Sequence, residues 1–170
     1  MLVKIISIML ENTYTTDDLV LRIGSMRKYY EQRLFQPGKE VTVRSAIENE
    51  CDNHTLQAVE HWNERFEKEK VQPLVVYEAL ESVQEDLAGI PSIKLYVPVR
   101  FTPSQVEQLG VWVRTNIQPN ILISLHIDPR VTGGCSFIWK DVYHDFSLRY
   151  FIDKKKKEIH DMFGKYAYAK

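Results

Sequence analysis

Residues Ile121–Asp153, ILISLHIDPRVTGGCSFIWKDVYHDFSLRYFID, decide how this chain is read. Ile121, Ile123, Leu125 and Ile127 recur at every second position, the period of a half-buried strand. Asp128-Pro129 leaves that strand, and Gly133-Gly134 supplies the positive φ that a reversal needs. Ser136 to Lys140, rich in Phe137, Ile138 and Trp139, predicts another strand. Lys140-Asp141 is a turn candidate and Val142 to His144 a short further strand. Asp145 is placed to cap a last helix, where Leu148, Phe151 or Ile152, Lys155 and Ile159 keep helical spacing.

The residues just upstream complete the unit. Ile93, Leu95, Val97 and Val99 alternate with polar or aromatic neighbours, which predicts a strand that is at an edge or ends at Pro98. Thr102-Pro103-Ser104-Gln105 starts a helix: Thr102 is the cap, Pro103 fits the first helical position, and Gln105 closes a capping box. Val106, Leu109 and Val113 mark its buried face, and it must fail before Pro119. The order β-α-β-β-α, with the short further strand before the last helix, predicts a small sheet with helices on one face, spanning residues 89–163, with 164–170 as a tail without clear periodicity.

Before residue 89 the pattern is helical. Leu2 to Leu10 is apolar on nearly all sides, so periodicity does not choose between helix and strand. Thr15, Thr16 and Asp17 offer a cap for a helix with Leu19, Ile23, Met26, Tyr30 and Leu34 on one face, closed by Pro37-Gly38. Val43, Ile47 and Cys51 mark a short helix. Asp52 or Asn53 caps the next, with Leu56, Val59, Trp62 or Asn63, and Phe66. Pro73 opens another, with Leu74, Tyr77, Leu80, Val83 or Gln84, and Leu87. Four or five such helices must bury their stripes on one another, so residues 1–88 are expected to form a helical bundle and the whole chain an α+β fold.

Charge divides at the same place. Met1–Ala88 holds 10 Lys and Arg against 16 Asp and Glu, a net of −6, whereas Gly89–Lys170 holds 12 against 7, a net of +5. Two halves of opposite sign suggest two modules with different partners, and ordinary solvated surface explains the split equally well. Cys51 and Cys135 stand too far apart in sequence to suggest a disulfide framework, and a reducing cytoplasm is the default. The apolar run Ile5–Leu10 is short for a signal peptide, and nothing approaches the roughly 20 apolar residues that span a bilayer.

Candidate chemistry is sparse. Gly133-Gly134 lacks the Lys-Ser or Lys-Thr of a phosphate loop. Cys51, His54 and His61 have metal-like spacing without a second ligand pair, so no metal is expected. Asp128, Asp141, His144 and Asp145 offer carboxylate–histidine pairs without a nucleophile, and turn and cap roles suffice for the aspartates. Lys154 to Lys157, near Tyr143, Tyr150 and Phe151, keep an RNA- or ribosome-associated adaptor in view. No catalytic residue and no cofactor is assigned.

Phe101-Thr102-Pro103-Ser104-Gln105, Ile127-Asp128-Pro129, Gly133-Gly134 and Asp145-Phe146-Ser147-Leu148-Arg149 together resemble the delta subunit of F-type ATP synthase, the family of the oligomycin-sensitivity-conferring protein. Val131 stands at the aliphatic position inside the Asp-Pro…Gly-Gly loop, and Phe146 stands where the family has Gly. The match runs from Ile93 to Ile159. The N-terminal half has room for fewer helices than the family's six-helix bundle, so the chain looks like a short, divergent bacterial version.

The resemblance implies a stator subunit without chemistry of its own, at the cytoplasmic face of a bacterial cell membrane. The bundle would receive N-terminal helices of the α subunits, the C-terminal domain would hold the b-subunit stalk, and nucleic acid would not be a partner. Asp128, Pro129, Gly133, Gly134, Asp145 and Ser147 would then be structural motif residues. Trp112 is the first candidate for a partner contact, because it stands beside the buried face of its helix; Trp62 and Tyr29 follow.

Overall fold

The computed structural model describes residues 2–36, 41–85 and 87–167. Among them are eight α-helices and a four-stranded mixed sheet, an α+β fold with the helical bundle first. The bundle comprises α1 (Leu2–Glu11), α2 (Thr16–Phe35), α3 (Val43–Ile47), α4 (Asn53–Lys68) and α5 (Pro73–Glu85). The ambiguous N-terminal run is therefore a helix. Pro37-Gly38, the expected stop of α2, lies outside the described residues.

Local signals set the helix starts. Thr15 caps α2 by accepting from the Asp18 amide at 3.0 Å, and Asp52 caps α4 by accepting from the Thr55 amide at 2.7 Å. α2 is central and packs on α3, α4 and α5, while α1 packs on α4 and α5. Leu19, Ile23, Met26 and Tyr30 are buried, as the spacing predicts. In α5 the buried stripe is Val76, Ala79, Leu80 and Val83; Leu74 is exposed and Tyr77 half-buried. The expected face is thus rotated, because this helix carries apolar residues on more than one side.

The C-terminal lobe contains β1 (Ser92–Val97), α6 (Pro103–Asn116), β2 (Leu122–Ile127), β3 (Gly134–Trp139), β4 (Val142–Ser147), α7 (Leu148–Lys154) and α8 (Lys156–Ala167). The fourth strand, expected over Val142 to His144, runs on to Ser147, and the single expected last helix is divided into α7 and α8. Strand order is β2-β1-β3-β4, with β1 parallel to β2 and antiparallel to β3, and β4 antiparallel to β3. β1 is therefore interior. Pro98 follows its last residue and ends it, which is the position a residue without an amide hydrogen tolerates. The capping box at Thr102 and Gln105 forms as expected, with Thr102 donating its amide to Gln105 Oε1 at 2.8 Å.

The β3–β4 turn is Lys140-Asp141, both at positive φ, the geometry of a tight hairpin loop. Gly133-Gly134 also has positive φ at both residues, but it does not make a hairpin. β3 crosses to pair with β1, and Gly134 opens it opposite Ser147. Asp145 does not cap a helix. It lies within β4 opposite Ser136, and Ser147, two residues later, caps α7 by accepting from the Tyr150 amide at 3.2 Å. The final helix breaks at Lys155, and α8 continues to Ala167, past the expected start of a tail at residue 164.

Two apolar cores result. One fills the bundle and includes Leu122 of β2; the other joins Ile93, Leu95, Val97, Ile121 and Ile123 to Val113 of α6. The start of β2 is therefore buried on both faces, Ile123 in the lobe core and Leu122 against the bundle, while its end at His126 and Ile127 is exposed. Among the described residues no helix is long and apolar enough to cross a membrane.

Candidate functional site

One face of the sheet is only half covered. Strand register puts Ile93, Leu95 and Val97 on the same face as Phe137, Trp139, Val142, His144 and Phe146. α6 stands toward the β2 edge, where Arg114 reaches the Ile121 carbonyl at 3.2 Å and Gly110 rests against the Tyr14 ring. Exposure on this face rises away from α6. Leu95 is 8% exposed, Phe137 and His144 are half-buried, and Phe146 reaches 49%. A helix laid beside α6 would cover this strip, and helices normally cover such sheets.

The strip is a connected aromatic surface. The Phe137 ring stacks on His144 with centroids 4.8 Å apart and on Phe146 at 5.6 Å, and Phe146 meets Phe151 of α7 at 6.4 Å. α6 turns Gly110 and Arg114 toward the bundle side. Residues two apart in a helix lie on nearly opposite sides, so Trp112 stands on the side of α6 away from those contacts. Trp112 is 56% exposed. One wall of the strip is α7. Phe146, where the family resemblance has Gly, occupies regular strand opposite Cys135 and adds its ring to the strip.

Trp62 and Tyr29 are not surface residues. Trp62 is fully buried on the inward stripe of α4 with Val59 and Phe66. Tyr29 is buried beside Tyr30 at a centroid distance of 5.0 Å, and its hydroxyl accepts from Arg33 at 2.8 Å. Both follow from helical spacing, which turns them inward with the rest of the core. Sequence alone offered no signal for the wall made by α7, since Phe151 fits a core stripe equally well.

The motif residues hold shape. Asp128 accepts from the amide and the guanidinium of Arg130, each at 2.9 to 3.0 Å, and these bonds hold its carboxyl below the ordinary range. Asp145 accepts from the Ser147 amide at 2.8 Å, which lowers its pKa for the same reason. Gly133 accepts from the Leu148 amide at 3.1 Å, fastening the β2–β3 loop to the start of α7. A side chain at Gly134 would strike the Phe146 carbonyl.

The structure does not bring Asp128 and Asp145 together with His144; polar groups gather instead in a cavity of about 700 Å³ whose lining includes Arg22, Asp52, His54, His61 and Arg100. Asp128 and Asp145 line a cavity of about 570 Å³ on the opposite face of the sheet from His144, because neighbouring residues of β4 point to opposite sides. His54 lies 3.2 Å from Arg22, and His61 lies 3.4 Å from Glu11. Among the described residues no three His, Cys, Asp or Glu side chains come together as a metal site. Burial raises the pKa of both Cys51 and Cys135, which makes them poorer nucleophiles. No family model and no curated protein matches the chain.

Proposed function

We propose that this chain is a non-catalytic stator subunit of an F-type, proton-translocating ATP synthase, similar to the delta subunit. In this role the bundle docks on α subunits of the head, and the C-terminal lobe holds the b-subunit stalk. It works at the cytoplasmic face of the membrane, without spanning it. Its task is to resist torque so that the head does not turn with the rotor.

The observation that carries the reading is the partly exposed aromatic strip along β3, β4 and α7. Its rings are apolar and partly exposed, and helix-in-groove docking needs such an apolar face. The motif residues that carry the resemblance also surround it, since Asp145 and Ser147 aim α7 and Gly134 admits the Phe146 backbone. Opposite net charge on the two halves suits two different partners.

Affinity purification from the source cells tests this. The expected result is recovery of α, β and b subunits, with loss of proton-coupled ATP hydrolysis when the chain is removed. Recovery of none of them would sink the reading. Binding to RNA with a steep salt dependence would instead favour the adaptor reading, which rests on the exposed Lys154–Lys157 run and on Tyr150.

A further inference from the structure

The two halves meet at Thr13, which is fully buried. Its hydroxyl accepts from Arg22 of the bundle at 2.7 Å, and its carbonyl accepts from Arg114 of the C-terminal lobe. Arg114 also donates to the Leu10 carbonyl at 2.6 Å and to the Ile121 carbonyl at 3.2 Å. One guanidinium thus ties the end of α1, the segment after it and the entry to β2. The same guanidinium lies 4.8 Å from the centre of the Tyr14 ring.

Other contacts close the joint. Gly110 has no side chain, so the Tyr14 ring rests against the α6 backbone. Thr15 forms a parallel bridge with Ile123, whose amide donates to the Tyr14 carbonyl at 2.8 Å. Leu122, next to Ile123, is buried in the core of the bundle.

We infer that Asn12–Thr15 is a strap shared by both halves, which makes bundle and lobe one mechanical body instead of two modules on a tether. Arg114 has no carboxylate among these partners. Backbone carbonyls from both halves satisfy it, so these hydrogen bonds exist only while the halves stay docked. The inference stands on these contacts, whatever the chain binds. Under the stator reading it holds the two docking faces at a fixed separation.

Native-state hydrogen exchange on the full chain tests the strap. In the wild type, the slowest amides of α2 and α4 and those of β1 and β2 should share one protection ceiling, since a single body opens only as a whole. Arg114→Met removes the donors. Gly110→Ala presses a Cβ into Tyr14 without changing any charge, and it decides the matter if the first variant does not fold. Each variant should split the ceiling, with lobe amides losing about tenfold more protection than bundle amides, the scale of a lost buried hydrogen bond. Unequal ceilings in the wild type, or an unsplit ceiling in the folded variants, would overturn the inference.

Discussion

Phe146 stacks almost flat on Phe137, with ring planes 3° from parallel and centroids 5.6 Å apart. The two residues are diagonal neighbours on adjacent strands, since His144 is the direct partner of Phe137. The stack leaves Phe146 half in water, which is uncommon for an aromatic side chain whose only task is packing. Phe146→Ser should cost less than about 1.5 kcal/mol of stability, the scale of an aromatic pair. Under the stator proposal it should weaken binding of a stalk helix at least about tenfold, as loss of an interface anchor does. Urea unfolding and calorimetric titration separate the two effects.

Trp62 and Trp112 should respond in opposite ways. Trp62→Ala opens a cavity in the bundle core and should cost about 3–5 kcal/mol by urea unfolding. Trp112→Ala removes an exposed side chain and should leave the unfolding midpoint within about 0.5 kcal/mol of wild type. Its effect should appear only in partner binding.

Gly133 and Gly134 look equivalent in sequence but differ in space. Both have positive φ. A Cβ at Gly133 would meet the Leu148 Cβ at 3.4 Å, an ordinary contact, so Gly133→Ala should cost about 1 kcal/mol of backbone strain. Gly134→Ala drives a Cβ into the Phe146 carbonyl and should break β3–β4 pairing. Limited proteolysis should then cut the C-terminal lobe of the second variant and spare the first.

Asp52 gives the bundle an acid-sensitive cap. Hydrogen bonds from Thr55 are the largest cause of its lowered pKa. A carboxyl whose folded pKa lies below its unfolded value contributes stability above the unfolded value and loses it as pH falls through the folded one. The Asp52 contribution is therefore complete at neutral pH and fades below the ordinary carboxylate range. Asp52→Ala should lower stability by about 1 kcal/mol at pH 7, and the difference from wild type should shrink toward pH 2. Chemical unfolding at several pH values checks both points.

What could be read from the sequence was local. Thr102 and Gln105 form their capping box because every partner lies within a few residues. The stripe Leu19, Ile23, Met26 and Tyr30 was equally plain, since helical spacing is short-ranged. Asp145 and Ser147 were visible as motif residues, yet which of them caps α7 depended on how far β4 stays paired. Arg22 and Arg114 were not legible as a joint. Each looks like an ordinary helix cation, and only tertiary contact brings both to Thr13. An arginine between Leu19 and Ile23 on a buried stripe was the one available signal. The aromatic strip was hidden for a related reason. A fully buried stripe and a partly exposed one have the same residue pattern, and only tertiary packing tells them apart.

Under the stator proposal, the aromatic strip of Phe137, His144, Phe146 and Phe151 receives a stalk helix. Calorimetric titration of the full chain with the C-terminal segment of the b subunit from the same genome tests it most directly. The claim predicts saturable binding by the wild type, weakened at least about tenfold by Trp112→Ala and by Phe146→Ser in folded protein. No binding by the wild type, or equal binding by both folded variants, would contradict it.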